Sequence, residues 1–454
     1  MCGITGIVGT GDIAKQIYYN LVDLQHRGQQ GCGMAVSKDG FIKVIKNKGM
    51  VYQVFPDDDD EIFKELPGNC GIGHTLYSTI GKSGEIKQTR TFQPLIGYFY
   101  DKPFALAHNG NLIELEGLRE EAKRKGYQFK SEVSDTEVIV ALLSTSRETD
   151  FIEALKKVLP RLKGAFALTI LFDDKVIGVR DKCGIRPLCL GQGNGTFILS
   201  SESCALYTLE ANFIREIEPG EIIILGKDGI ERQFIWADSP CLCGCIIELI
   251  YFARPDSKIF GQYVQGYRER AGTILAKEHP VEADVVMPIP ESGRIYCDPF
   301  AAVLGISVRE GIFRNRHIPK RTFISPRDTD RRKVMRIKLH PVRPVIHGKS
   351  VCVTDDSIIR ANVSSEVSRM LRNEGATEVH VRIGSAPIRH PCCFGIDMPT
   401  RGELIAANFS VEEIQRRIIQ VDSLGYLSLR GMIEATGLPR ENLCLGCFTG
   451  EYPE

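Results

Sequence analysis

Two patterns of apolar and polar positions divide the chain. From the N-terminus to about residue 235 the apolar residues fall in short β-branched runs separated by turn residues. Cys2-Gly-Ile-Thr-Gly-Ile-Val reads as a buried strand, and Gly33–Val36, Phe104–Ala107, Gly164–Phe172, Val176–Val179 and Thr196–Ser200 read as further strands. Between them, Ile17, Leu21 and Leu24 recur at helical spacing and predict a helix over 13–25. Ser134-Asp-Thr-Glu137 before the apolar run Val138–Leu143 has the form of a helix N-cap. After about residue 236 strands alternate with helices: strands at Ala283–Ile289, Ser350–Thr354 and Glu378–Ile383, and helices starting near Pro299 and over Ser364–Asn373. Such alternation predicts a parallel sheet with crossover helices, and ligands then bind at the carboxyl ends of its strands. The expected division is 1–235 and 236–454.

Composition narrows the function class. A 454-residue chain exceeds one ordinary core, and 43% hydrophobic with 25% charged residues is a globular balance. Lys plus Arg equals Asp plus Glu at 57 each, so nothing suggests a nucleic-acid or membrane partner. No apolar run approaches the ~20 residues of a spanning helix, and no basic start precedes an apolar core at the N-terminus. A cytoplasmic protein is expected. Its 15 cysteines then suggest metal binding or catalysis before disulfides. The run Asp57–Asp60 is expected to be a solvated loop.

Three constellations carry chemistry. Cys2 follows the initiator; removal of Met1 would leave a thiol and a free α-amino group, nucleophile and base, on one residue. In His108-Asn109-Gly110-Asn111, Asn-Gly is either a hairpin turn or an oxyanion pair formed by the Asn109 amide and the Gly110 N–H. Asp355-Asp356, at the end of a predicted strand, is either an acidic capping turn or a carboxylate pair for two vicinal ribose hydroxyls.

The order of these motifs adds a resemblance. An N-terminal Cys, His26-Arg27-Gly-Gln, Gly73-His-x-x-Tyr77, His108-Asn-Gly-Asn-Leu112, Ser134-Asp-Thr-Glu137, Arg180-Asp-x-x-Gly-Ile-Arg-Pro187 and Ser201-Glu-Ser-Cys204 resemble class II glutamine amidotransferases. These have an N-terminal-nucleophile αββα sandwich. The second half resembles type I phosphoribosyltransferases, through Val351–Arg360, Pro290-Glu-Ser-Gly293, Asn315-Arg316, Arg321–Ile324, Val342-Arg343 and His390-Pro-Cys-x-x-Gly-Ile-Asp397. Together they resemble the amidophosphoribosyltransferase family over essentially the whole chain. The resemblance implies an α+β glutaminase followed by an α/β transferase. It implies ammonia release from glutamine and its transfer to phosphoribosyl pyrophosphate, the first step of purine synthesis. By position, Cys2 would be nucleophile and base, Asn109 and Gly110 the oxyanion hole, Asp135 the partner of the glutamine α-amino group, and Arg27 a supporting residue. Asp355, Asp356, Ser292, Gly293 and Ser364 would hold phosphoribosyl pyrophosphate, the two aspartates with Mg²⁺. Cys245, Cys392, Cys444 and Cys447 match positions that hold a [4Fe–4S] cluster in one branch of the family; four thiolates suit iron–sulfur or zinc. Cys241, Cys243 and Cys393 are neighbours that could compete. A homo-oligomer is expected.

Several positions depart from the family pattern. Leu76 stands where an Arg clamps the glutamine carboxylate, with Lys82 a candidate substitute. Ala361-Asn362-Val363 replaces Gly-Thr-Thr in the phosphate loop, and Arg294-Ile-Tyr296 replaces Thr-Pro-Ala in the pyrophosphate loop, where Arg294 could pair with a phosphate. The mobile loop carries one extra residue within His317–Arg321. The alternative these allow is a diverged paralogue with altered substrates, or a regulatory or redox-sensing iron–sulfur protein.

Overall fold

The computed structural model describes residues 1–56, 60–77, 92–131, 134–315, 335–398 and 400–453. Lys82, the acidic run through Asp59 and the segment 316–334, with the extra loop residue and Arg321–Ile324, lie outside them.

Two antiparallel sheets stack in the N-terminal part. One runs in the order Asn212–Glu216, Cys189–Gly193, Thr196–Ser200, Gly3–Gly9, Cys70–Leu76, Gly31–Lys38, Phe41–Lys48. The other runs Gly229–Ile235, Glu221–Gly226, Lys175–Arg180, Lys163–Phe172, Lys102–Ile113, Leu95–Phe99. Alternate apolar residues of each sheet point inward, and Ile4, Val8, Ile72, Ala107, Ala167 and Leu199 make a shared core between them. The outer faces are covered by helices. Ile13–Asp23, capped by Asp12, buries Ile17 and Leu21 on the first sheet. Asp135–Ser144 and Phe151–Val158 cover the second. This is the αββα sandwich expected from the sequence. The N-terminal strand is central in its sheet, between Thr196–Ser200 and Cys70–Leu76, so residue 2 is held in place and does not fray.

One local expectation is decided by this sheet. Asn109-Gly110 is not a hairpin turn: Lys102–Ile113 is one continuous strand, paired along its length with Lys163–Phe172. Gly110 lies at φ +155°, and a Cβ there would meet the Ala165 carbonyl oxygen at 1.9 Å. Only glycine lets the two backbones approach so closely.

The C-terminal part is a parallel four-stranded sheet, Val285–Pro288, Ser350–Asp355, Glu378–Ile383 and Ser423–Tyr426. Helices Val264–Glu278 and Arg294–Leu304 pack on one face and Asn362–Asn373 on the other. The helix expected near Pro299 begins five residues earlier, at Arg294, because Pro299 is tolerated within it. Tyr296, in its first turn, is buried and holds that turn against the sheet.

The two parts are joined by a buried charge cluster. Arg27 donates from Nη2 to Glu248 Oε1 at 2.9 Å, from Nη1 to Glu248 Oε2 at 3.1 Å, and also to Glu202. All three side chains are wholly inaccessible. Burial alone would raise the Glu202 carboxyl, but His26 and Arg27 hold it well below the usual carboxylate range. The Phe252 ring lies 4.8 Å from the guanidinium. Removing one member strands the others' charge in an apolar setting, which costs about 3–5 kcal/mol. Arg27→Met is therefore expected to lose that much stability in chemical denaturation; a loss below about 1 kcal/mol, the scale of an exposed ion pair, would contradict a buried cluster.

Candidate active sites

The first site forms where the N-terminal strand meets the Lys102–Ile113 strand. The Cys2 N–H donates to Asn109 Oδ1 at 3.0 Å, and Arg27 Nε donates to the Cys2 carbonyl at 3.0 Å. These bonds fix the backbone of Cys2 on both sides. With its Oδ1 engaged, Asn109 keeps its Nδ2 buried and without a hydrogen-bond partner. An orphaned buried donor costs about 1–3 kcal/mol unless something accepts from it, so it marks a place prepared for an acceptor. Burial pushes the Cys2 thiol up, opposed by the nearby terminal amine and a backbone hydrogen bond at Tyr77, and Sγ lies 3.8 Å from the Tyr77 carbonyl. Met1 is present and enclosed. Its amino group donates to the Gly395 carbonyl at 3.0 Å, and burial lowers it to about 5.

Asp135 opens its helix beside this spot. Its carboxylate accepts from the N–H of Leu112 at 3.1 Å and of Thr136 at 2.7 Å, and lies 3.6 Å from His108 Nδ1. Leu76 ends the Cys70–Leu76 strand one residue before Tyr77. It is an apolar side chain where the sequence comparison of motifs expected a cation.

A loop from the C-terminal part closes over the same site. Asn111 Nδ2 donates to the Cys393 carbonyl at 2.7 Å, and the buried Arg186 donates to the Phe394 carbonyl, Nε at 3.1 Å. Arg186 also approaches Glu248 at 3.5 Å. Glu202, Glu248 and Arg186 had no role assigned from the sequence. Glu202 and Arg186 do lie inside the motifs quoted above, so their position was marked although their partners were not.

The second site lies at the carboxyl end of Ser350–Asp355. Asp355 and Asp356 are both buried, and burial followed by their mutual repulsion raises Asp355 far above the carboxylate range. Asp356 is raised by burial as well, with Ser292, Ser357 and Arg268 pulling the other way. Ser357 Oγ donates to Asp356 at 2.5 Å. Gly293 lies against the strand end, where a Cβ would meet the Thr354 carbonyl oxygen at 2.2 Å. The N-terminus of helix Asn362–Asn373, with Ser364 buried in its first turn, follows directly. A carboxylate pair beside a helix N-terminus suits a ligand with both hydroxyls and phosphate.

The departures settle differently. Ala361 keeps the left-handed conformation, φ +57°, that glycine would adopt there without strain. Asn362 is exposed at the helix start. Arg294 is exposed and ion-paired with Glu310, so it does not line the floor of the site. Tyr296 is absorbed into the core, its hydroxyl donating to the Ile250 carbonyl at 2.8 Å.

Four cysteines come near one another. Gly244–Cys245 pairs in parallel with Leu443–Cys444, placing Cys245 opposite Cys444. Cys447 follows in the short helix Gly446–Thr449, and its carbonyl accepts from Arg389 and His390 N–H at 3.0 Å each. Cys392 Sγ accepts from the N–H of Phe394 at 3.4 Å and of Ile396 at 3.5 Å. Burial pushes the Cys245 thiol up to about 11, with Cys392 adding to the rise and Arg186 opposing it. Cys444 and Cys447 are pushed higher, by burial and then by these neighbours. Among the described residues no three His, Cys, Asp or Glu side chains converge as tightly as a single metal ion needs.

A glutaminase sandwich joined to a parallel sheet of the phosphoribosyltransferase kind defines a bifunctional amidotransferase. The glutamine amidotransferase domain model matches residues 82–208. An amidophosphoribosyltransferase of Methanocaldococcus jannaschii is 46% identical, covering 100% of this chain and 98% of its own length. One from Synechococcus elongatus is 41% identical, with 100% and 91% covered. The solved glutamine phosphoribosylpyrophosphate amidotransferase of B. subtilis, complexed with ADP and GMP, is 38% identical. It superposes with a TM-score of 0.91 over 100% of this chain and 97% of that one. The chain belongs to the amidophosphoribosyltransferase family. No helix among the described residues is long and apolar enough to cross a membrane.

Because Ala361 holds a left-handed backbone, Ala361→Gly should remove roughly 1–2 kcal/mol of strain. About half of that is returned to the more flexible unfolded chain. A rise in the denaturation midpoint is expected, equivalent to about 0.5–1 kcal/mol; a fall would show that the residue is not strained in solution.

Proposed function

We propose that the chain makes phosphoribosylamine from phosphoribosyl pyrophosphate with ammonia released from glutamine, the entry to purine synthesis. The observation that carries this reading is Cys2 bonded to Asn109, whose Nδ2 remains an unused donor. The Cys2 thiolate attacks the side-chain amide carbon of glutamine. The developing oxyanion accepts from Asn109 Nδ2 and the Gly110 N–H, and such a donor contributes about 2.7–4 kcal/mol to the barrier reduction. The C–N bond breaks, and the amide nitrogen leaves as ammonia after taking the proton carried by the α-amino group of Cys2, which is free once Met1 is removed. Water then cleaves the thioester and glutamate departs. Asp135 pairs with the substrate α-amino group, and Arg27 holds the nucleophile's carbonyl in place.

In the second site ammonia bonds to C1 of the ribose as pyrophosphate leaves. Asp355 and Asp356 accept from the two ribose hydroxyls, while the helix start at Asn362 and Ser364 receives the 5′-phosphate. Ser292 and Gly293 face the pyrophosphate. The aspartate pair suits Mg²⁺, which when bound neutralises charge on the leaving group.

Cys245, Cys392, Cys444 and Cys447 are the residues that would hold a [4Fe–4S] cluster. The burial of Cys245, Cys444 and Cys447, the mutual proximity of all four and the two N–H donors on Cys392 favour it. The cluster's role is structural, fixing the loop 392–398 over the glutaminase site. A cytoplasmic homo-oligomer is the expected setting.

Cys2→Ala should lower glutamine-dependent pyrophosphate release by at least roughly a thousand-fold, as deleting a nucleophile does. Ammonium-dependent release should stay within about two-fold, an effect under ~0.5 kcal/mol. Glutamine hydrolysis by the variant would remove Cys2 from its role. Leu76 stands where the family pattern has the cation for the glutamine carboxylate, so Leu76→Arg should lower the KM for glutamine at least about ten-fold, equivalent to ~1.4 kcal/mol. An unchanged KM would mean the carboxylate is held elsewhere. Protein purified without oxygen should be brown, with about four irons and four sulfides per chain. Stoichiometric zinc in their place would rule the cluster out.

A further inference from the structure

Three cysteines stand apart from both sites and from the four convergent thiols: Cys183, Cys241 and Cys243. Two lie on the segment that joins the domains; Cys183 lies on a turn of the glutaminase domain. Asp181, wholly buried, shapes that turn by accepting from the N–H of Phe166 at 3.1 Å, Cys183 at 3.0 Å and Ile185 at 3.2 Å. The joining segment then runs alongside it. Cys241 N–H donates to the Lys182 carbonyl at 3.0 Å, Cys243 to Cys183 at 2.7 Å and Cys245 to Ile185 at 3.2 Å. This ladder sets the Sγ atoms of Cys241 and Cys183 3.9 Å apart. Cys241 is exposed and Cys183 is buried, so one sulfur meets solvent and the other waits behind it. Cys243 is turned away, its thiol donating to the Glu441 carbonyl at 3.1 Å.

We propose that Cys183 and Cys241 form a reversible disulfide that fastens the interdomain segment to the glutaminase domain. A disulfide needs its sulfurs about 2.05 Å apart. The gap can close by rotating the exposed Cys241 side chain, because the flanking backbone is already paired. A small disulfide such as oxidised glutathione is a sufficient oxidant. The Cys241 thiolate attacks one of its sulfurs, forming a mixed disulfide and expelling the first thiolate, which takes the proton Cys241 gave up. The Cys183 sulfur then attacks Cys241, expelling the second thiolate, which takes the proton lost by Cys183. Two protein thiols are oxidised and one small disulfide is reduced to two thiols. Burial pushes the Cys183 thiol up, with Asp181 next, so Cys241 attacks first and Cys183 resolves. The bond closes a loop across 58 residues of sequence, which constrains the unfolded chain. It would also stiffen the turn from which Arg186 reaches Glu248 and the loop at Phe394.

The full chain, incubated with oxidised glutathione under argon, is quenched with N-ethylmaleimide, digested without reductant and mapped by mass. The expected product is a cross-linked peptide pair containing Cys183 and Cys241, abolished by dithiothreitol. The thermal midpoint should rise on oxidation and fall back on reduction. Cys241→Ser, at an exposed position, should give no such pair and no midpoint shift, and Cys183→Ser should accumulate glutathione on Cys241. The proposal is overturned if wild type stops at glutathione on Cys241 with Cys183 alkylated after unfolding. It is equally overturned if Cys241 pairs with Cys243, or if disulfides appear only among Cys245, Cys392, Cys444 and Cys447.

Discussion

Arg27 is the constraint on which the first site depends. Its guanidinium is buried between Glu202 of the glutaminase domain and Glu248 of the transferase domain, and its Nε reaches back to the Cys2 carbonyl. A charge so enclosed persists only while its partners stay in place. Docking of the second domain, which brings Glu248, is thus a condition for holding Cys2 at the start of the first strand. The same physics explains why Arg186 lies beside Cys245 and Cys392 and over Phe394: a second buried cation draws the 392–398 loop onto Asn111.

The substituted positions fall into two groups. Arg294 and Tyr296 look severe in sequence but are accommodated, one paired with Glu310 at the surface and the other packed under the sheet. Leu76 and Ala361 are not. Leu76 puts an apolar side chain at the end of the strand next to Cys2, and Ala361 keeps a glycine's backbone angle with a Cβ attached. These two carry what is particular to this chain: an apolar residue at the end of one strand and a left-handed alanine before one helix.

Much of the architecture was legible because strand and helix periodicities are local. The αββα order, the N-cap at Ser134 and the strand leading to Asp355 follow from neighbouring residues. Asn109-Gly110 was ambiguous for a physical reason. The dipeptide suits a tight turn, and only pairing with a strand more than fifty residues away shows that Gly110 serves close backbone approach. The fourth parallel strand, Ser423–Tyr426, is too short to stand out as a pattern. Long-range partners such as Glu248 for Arg27, 221 residues apart, leave no periodic trace. Motif resemblance marked the neighbourhood of these residues, and the fold supplied the pairing.

The central claim is that both halves act in one reaction, with ammonia from the first consumed by the second. Glutamate and pyrophosphate measured in the same reaction, with glutamine as the sole nitrogen source and phosphoribosyl pyrophosphate as acceptor, test it directly. Equal amounts of the two products throughout the time course are predicted. Glutamate formed without pyrophosphate, or no pyrophosphate with either glutamine or ammonium, would contradict it.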